Sequence, residues 1–79
     1  MRTIFVMIKA ELGRAYQVAD LIVDTGQVSE VHSISGQYDL LVKVYLDEGD
    51  DIGHFVTEVI QPIEGIRDTF TLIGFRAFT

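Results

Sequence analysis

The residues whose types and spacing could do chemistry fall at a few places in the chain. The first is Gly36-Gln37-Tyr38-Asp39, preceded by Ser35, which puts a glycine, an aromatic and a carboxylate together between two apolar β-type runs. Glycine takes positive φ without steric cost, so it belongs where antiparallel strands reverse within a few residues. Read locally, Tyr38 packs on the sheet edge and Asp39 accepts backbone N–H bonds in the turn; the sharper reading is a ligand-binding corner. The second place is the pair His32 and His54, the residue type most used as a general acid or base. They lie on different elements, with no nucleophile or carboxylate partner recognisable from spacing, so both read as surface or structurally satisfied histidines. The third is the acidic run Asp47, Glu48, Asp50 and Asp51. It precedes a helical pattern and suits the positive end of that helix, which favours capping and solubility over metal binding. No catalytic residue and no metal ligand is assigned.

The elements that must position these residues follow from changes in hydrophobic period. Thr3 to Ala10 holds Ile4, Phe5, Val6, Met7 and Ile8, a strand apolar on both faces. From Gly13 to Thr25, Ala15, Val18, Ala19 and Ile22 recur at helical spacing, and Gly26 stands where a left-handed C-cap belongs. Val28 to Ser35 is a weaker strand, and Leu40 to Leu46 a strong one, joined to it as a hairpin through Gly36. Ile52, Phe55, Val56, Val59 and Ile60 fit a second helix, limited by Pro62. Ile66 to Phe78 is β-prone, interrupted only by Gly74.

The order strand, helix, strand, strand, helix, strand predicts an α+β, ferredoxin-like βαββαβ fold over residues 1–79, with a four-stranded antiparallel sheet and two helices on one face. The uncovered face is also apolar. Phe5 and Met7 point opposite to Ile4, Val6 and Ile8, and the last strand puts Phe70, Leu72 and Phe78 on one side. A surface of that kind is rarely left bare, so two sheets are expected to pair face to face through these five residues. Lys43 shares a face with Leu41 and Tyr45, and is placed at the rim of that interface or beside an acidic group.

Composition narrows the partners. A chain of 79 residues buries only about 60–65% of its unfolded surface. Without cysteine it has neither disulfides nor thiolate zinc, which leaves oligomerisation as the supplement. A net charge of −6 with six scattered basic residues is the wrong footprint for gripping nucleic acid, RNA included. The apolar run near Met1 is too short to span a bilayer and lacks a cleavage site, so no membrane partner is expected and the chain reads as cytoplasmic.

The segment Ser35-Gly-Gln-Tyr-Asp-Leu-Leu-Val-Lys-Val44, following a helix that ends in Thr25-Gly-Gln-Val28, resembles the effector domain of the Lrp/AsnC feast/famine regulators. The resemblance runs the whole chain. The family's hairpin reads glycine, any residue, aromatic, aspartate, matched by Gly36, Gln37, Tyr38 and Asp39. Its last strand opens with Thr-x-Thr, matched by Thr69, Phe70 and Thr71, a pattern that β-propensity alone also produces. Where the family has a basic residue before the first threonine, this chain has Asp68 after Arg67, a departure that bears on ligand charge preference.

The resemblance implies dimers paired back to back, further assembly into tetramers or octamers, and a small effector, usually an amino acid, in clefts between dimers lined by the hairpin. Backbone N–H groups at the glycine turn would hold the carboxylate and Asp39 the α-amino group. Tyr38 would give a wall or a hydroxyl donor, and Thr69 and Thr71 neutral hydrogen bonds from the neighbouring strand. No cofactor is implied. Family regulators carry a helix-turn-helix domain ahead of this one, and here the first strand begins almost at once, so the chain is not expected to bind operator DNA by itself. It resembles a stand-alone module, as Met1 favours, or an excised domain; it would sense an amino acid or co-assemble with a full-length regulator. The alternative is a small dimeric α+β-barrel enzyme of monooxygenase or isomerase type, since fold does not fix function.

Overall fold

Alternation along the strands decides how the molecule is layered, because one side of each of the two central strands is uniformly apolar. The computed structural model describes residues 1–79. Its elements are β1 (Arg2–Ala10), α1 (Ala15–Asp24), β2 (Glu30–Ser33), β3 (Leu40–Leu46), α2 (Ile52–Phe55) running straight into a π-helical turn (Val56–Ile60), and β4 (Ile66–Ile73). The sheet is antiparallel throughout, in the order β2-β3-β1-β4. This is the ferredoxin-like α+β arrangement expected from the element order.

Ile4, Val6, Ile8 and Ala10 of β1 and Leu40, Val42, Val44 and Leu46 of β3 are buried against Val18 and Ile22 of α1 and Phe55, Val56 and Ile60 of the second helical segment. No polar side chain is buried in that core. The opposite sheet face carries Phe5 and Met7, flanked across the ladder by Lys43 and Leu41 on β3 and by Leu72 and Phe70 on β4. Phe70 is 49% and Leu72 42% exposed, so this face is apolar and uncovered in a single protomer.

Several boundaries differ from the sequence reading for identifiable reasons. Helix α1 starts at Ala15 rather than Gly13, because Gly13 takes φ 77° in the preceding loop; Gly26, at φ 69°, is the left-handed residue expected after the helix. Strand β2 is shorter than Val28–Ser35, although Ser29 N–H to the Lys43 carbonyl and Ile34 N–H to the Asp39 carbonyl extend its pairing at both ends. The second helix is α-helical for one turn only, after which Gln61 N–H donates to the Val56 carbonyl, five residues back.

The strand expected to reach Phe78 stops at Ile73. Gly74 N–H still bonds the Thr3 carbonyl, but β1 begins at Arg2 and offers nothing further to pair with. Phe78 therefore lies off the sheet, 83% exposed, with the Arg76 guanidinium 5.1 Å from its ring centroid.

Candidate functional site

The turn between β2 and β3 closes through Ile34 N–H to the Asp39 carbonyl at 2.9 Å. Gly36 sits in it at φ 115°, where a Cβ would meet nothing within 4 Å, so glycine is required by conformation and not by crowding. Gln37 is exposed. Asp39 turns away from the loop and onto β1: its backbone N–H donates to the Ile8 carbonyl at 2.8 Å, and its Oδ2 accepts the Ala10 N–H at 2.9 Å. Oδ1 has no hydrogen bond and lies 3.7 Å from Lys9 Nζ, both side chains being about one-third exposed (31% and 35%). The carboxylate does accept a backbone N–H, as the local reading held, but from the adjoining strand.

Tyr38 reaches across β1 and stacks on Phe70 of β4, ring centroids 6.0 Å apart and planes 19° from parallel. It covers part of the open face. Thr69 and Thr71 pair with Ile8 and Val6, so they point to the helix side of the sheet. They were expected from a strand neighbouring the hairpin; β1 lies between β3 and β4, and one protomer does not bring these threonines to Asp39. Thr69 Oγ1 instead accepts from Gln61 Nε2 at 3.0 Å, at the end of the π turn.

A cleft of about 310 Å³ opens on the other side of Asp39, lined by Lys9, Ala10, Glu11, Leu12, Gly13, Ala15 and Tyr16. Sequence reasoning passed over Lys9, Leu12 and Tyr16. The available signal was their position: Lys9 is the one cation on an otherwise apolar strand interior, and Tyr16 falls off the Ala15-Val18-Ala19-Ile22 stripe of α1. A larger cleft of about 460 Å³ lies by Phe5, Tyr45 and Phe75 and touches none of the candidate effector residues.

Both histidines have carboxylate partners that the sequence reading did not assign. His32 Nε2 is 2.8 Å from Glu30 Oε1, two residues away on the same strand face, and His54 Nδ1 is 3.8 Å from Glu58 Oε2, one helical turn on. These i,i+2 and i,i+4 spacings were legible. Glu30 Oε2 also pairs with Lys43 Nζ at 3.5 Å, and Lys43 lies 5.2 Å from the Tyr45 ring centroid. Hydrogen bonding from His32, then the charge of Lys43, holds the Glu30 carboxyl below its ordinary value; Tyr45, then Glu30, holds Lys43 above its own. In the acidic run, Asp51 caps α2 by accepting His54 N–H at 3.0 Å, Asp50 accepts Asp47 N–H, and Glu48 faces Arg2 and the N-terminal amine.

The hairpin corner, the threonine pair and the fold can now be set beside known proteins. The model of the Lrp/AsnC ligand binding domain matches residues 3–78. The chain belongs to the Lrp/AsnC family. Among curated Lrp/AsnC-type relatives, an uncharacterised HTH-type transcriptional regulator of Pyrococcus abyssi is 37% identical over 75% of this chain and 39% of its own length. The HTH-type transcriptional regulator FL11 of Pyrococcus furiosus is 30% identical over 87% of this chain and 45% of its own. The chain thus spans about two-fifths of the length of these relatives, and its 79 residues contain the ligand-binding domain but no helix-turn-helix. Among solved structures, TTHA0845 from Thermus thermophilus superposes with a TM-score of 0.88 at 37% identity, covering 100% of this chain and 99% of that one. The regulator NMB0573 of Neisseria meningitidis, solved as an L-Met complex, shares the Lrp/AsnC fold at TM-score 0.85 and 15% identity, over 99% of this chain and 52% of that one.

Proposed function

We propose that this Lrp/AsnC domain binds an amino acid at the Gly36–Asp39 corner and that copies of it assemble, first through the open sheet face and then dimer against dimer. The observation that carries this is the half-built corner. Asp39 Oδ1 faces an open cleft with Lys9 Nζ 3.7 Å away, while Thr69 and Thr71 lie on β4, separated from β3 by β1, so a second copy would be needed to bring both sets together. Asp39 would take the α-ammonium, Tyr38 would form a wall, and Gly36, Gln37, Thr69 and Thr71 would supply neutral contacts. The L-Met complex of the Neisseria regulator supports the ligand class. Neither histidine lines the cleft beside Asp39.

The regulatory output would pass through a DNA-binding domain, carried in the same polypeptide or by a full-length regulator with which this domain co-assembles in the cytoplasm. Binding is tested by melting the protein with each of the twenty amino acids. A ligand held only by the folded state stabilises it by about 2.7 kcal/mol at a hundredfold excess over Kd. At least one amino acid should raise the melting temperature by several degrees; no shift with any of them would remove the effector reading.

A further inference from the structure

Beside Asp39 the protomer presents a cation, an anion and two bare apolar side chains around one small cleft. Its volume, about 310 Å³, is at the lower limit of ligand pockets, which run from about 300 to 1,000 Å³. An amino acid fits within that volume. Resting on the effector reading above, we infer that this cleft selects amino acids with a bulky, uncharged side chain, Lys9 binding the α-carboxylate while Leu12 and Tyr16 pack the side chain.

The charges fit a zwitterion. Lys9 Nζ and Asp39 Oδ1 are 3.7 Å apart without a hydrogen bond between them, and both are solvent-accessible. The ammonium and carboxylate of an α-amino acid sit on one carbon, so their separation is of the same order, and the two ion pairs lie side by side with opposite sense. Asp39 Oδ2 is already committed to Ala10 N–H, which fixes the carboxylate and leaves Oδ1 to the ligand. Each charge of the ligand meets its opposite, so binding adds no unpaired charge to the cleft.

The apolar half is the second part of the fit. Leu12 is 93% and Tyr16 75% exposed, and both line the cleft together with the small residues Ala10 and Ala15. Neither contributes to the core. A bulky ligand side chain would cover both and leave water with it, the favourable term that a glycine or alanine ligand lacks. Glu11, which also lines the cleft, repels an acidic side chain.

Calorimetric titration of the whole chain provides the test, with leucine, methionine, phenylalanine, glycine, aspartate, glutamate, lysine and arginine as probes. Leucine, methionine and phenylalanine should bind tightest and the acids weakest. Lys9→Met keeps the aliphatic stem and should weaken leucine binding on the order of tenfold or more, the loss of one charge-assisted contact, while Lys9→Arg restores most of it. Tyr16→Ala and Leu12→Ala, at exposed positions that the fold does not use, should weaken leucine but not glycine, and they keep the test open if Lys9→Met fails to fold by circular dichroism. Wild-type leucine affinity in folded Lys9→Met, or tighter binding of acidic or basic amino acids, overturns the assignment and leaves the effector reading standing. No binding by any amino acid removes both.

Discussion

Asp39 joins structure and binding through different oxygens of one carboxylate, and this determines which substitution is informative. Removing the side chain leaves the half-buried Ala10 N–H without its acceptor and Lys9 without its counter-charge. An orphaned donor of that kind costs about 1–3 kcal/mol, so Asp39→Ala should lower the melting temperature by several degrees with no ligand present. Asp39→Asn retains an oxygen for Ala10 and loses only the charge, and should melt close to wild type. Both should lose the amino-acid response. Thermal unfolding at one fixed protomer concentration, with and without ligand, separates these effects; a full response in Asp39→Asn would take the ammonium site away from Asp39. The glycine-aromatic-aspartate pattern was legible because it is local, whereas the destination of the carboxylate was not. It depends on which residue of β1 lies opposite, and register is a tertiary property.

The second helical segment carries a comparable division between what spacing reveals and what it hides. Apolar residues at 52, 55, 56, 59 and 60 define one buried stripe whether the backbone closes four residues back or five, so the π turn leaves no trace in the period. Its start, by contrast, was readable from the acidic run, and Asp51 is the cap. Hydrogen bonding from His54 N–H holds the Asp51 carboxyl below the ordinary aspartate value. The folded chain therefore gives up this proton more readily than the unfolded chain, so the contribution is complete above the ordinary carboxylate range and disappears as pH falls through the lowered value. Asp51→Ala should melt a few degrees lower near neutral pH and show a flatter loss of stability on acidification. Asp51→Asn, an equally good N-cap, should keep the neutral-pH melting temperature and share the flatter acid limb. Equal acid limbs in wild type and Asp51→Asn would show that the cap does not act through its charge. Strand β4 teaches the complementary lesson: beyond the Gly74 N–H bond to Thr3, residues 75–79 have β-propensity but no partner, since β1 ends first.

At the scale of the whole molecule, the sheet has one face committed to the core and another that is apolar toward β1 and β4 but ionic toward β2. The second face was legible from β1 alone, because its alternate residues are hydrophobic in both registers. The sequence offered Lys43 an acidic neighbour as one of two placements, and Glu30 is that neighbour, so the charges on this face are already paired. Glu30 holds His32 and Lys43, and Lys43 lies over Tyr45, so pairing two such faces buries no unpartnered charge at that end. Phe5, Met7, Phe70 and Leu72 remain as the apolar patch, with Tyr38 stacked at its border. Leu72 is the residue on which to test assembly: at 42% exposure in a single protomer it can become lysine with little effect on the core, yet in a face-to-face pair the new charge would be buried. Light scattering of the wild type at micromolar concentration should give at least twice the 8.9 kDa protomer mass. Leu72→Lys should shift that mass toward the protomer while retaining the circular dichroism spectrum. A monomeric wild type, or a Leu72→Lys protein that keeps its full mass, would mean that the open face is not what joins the copies.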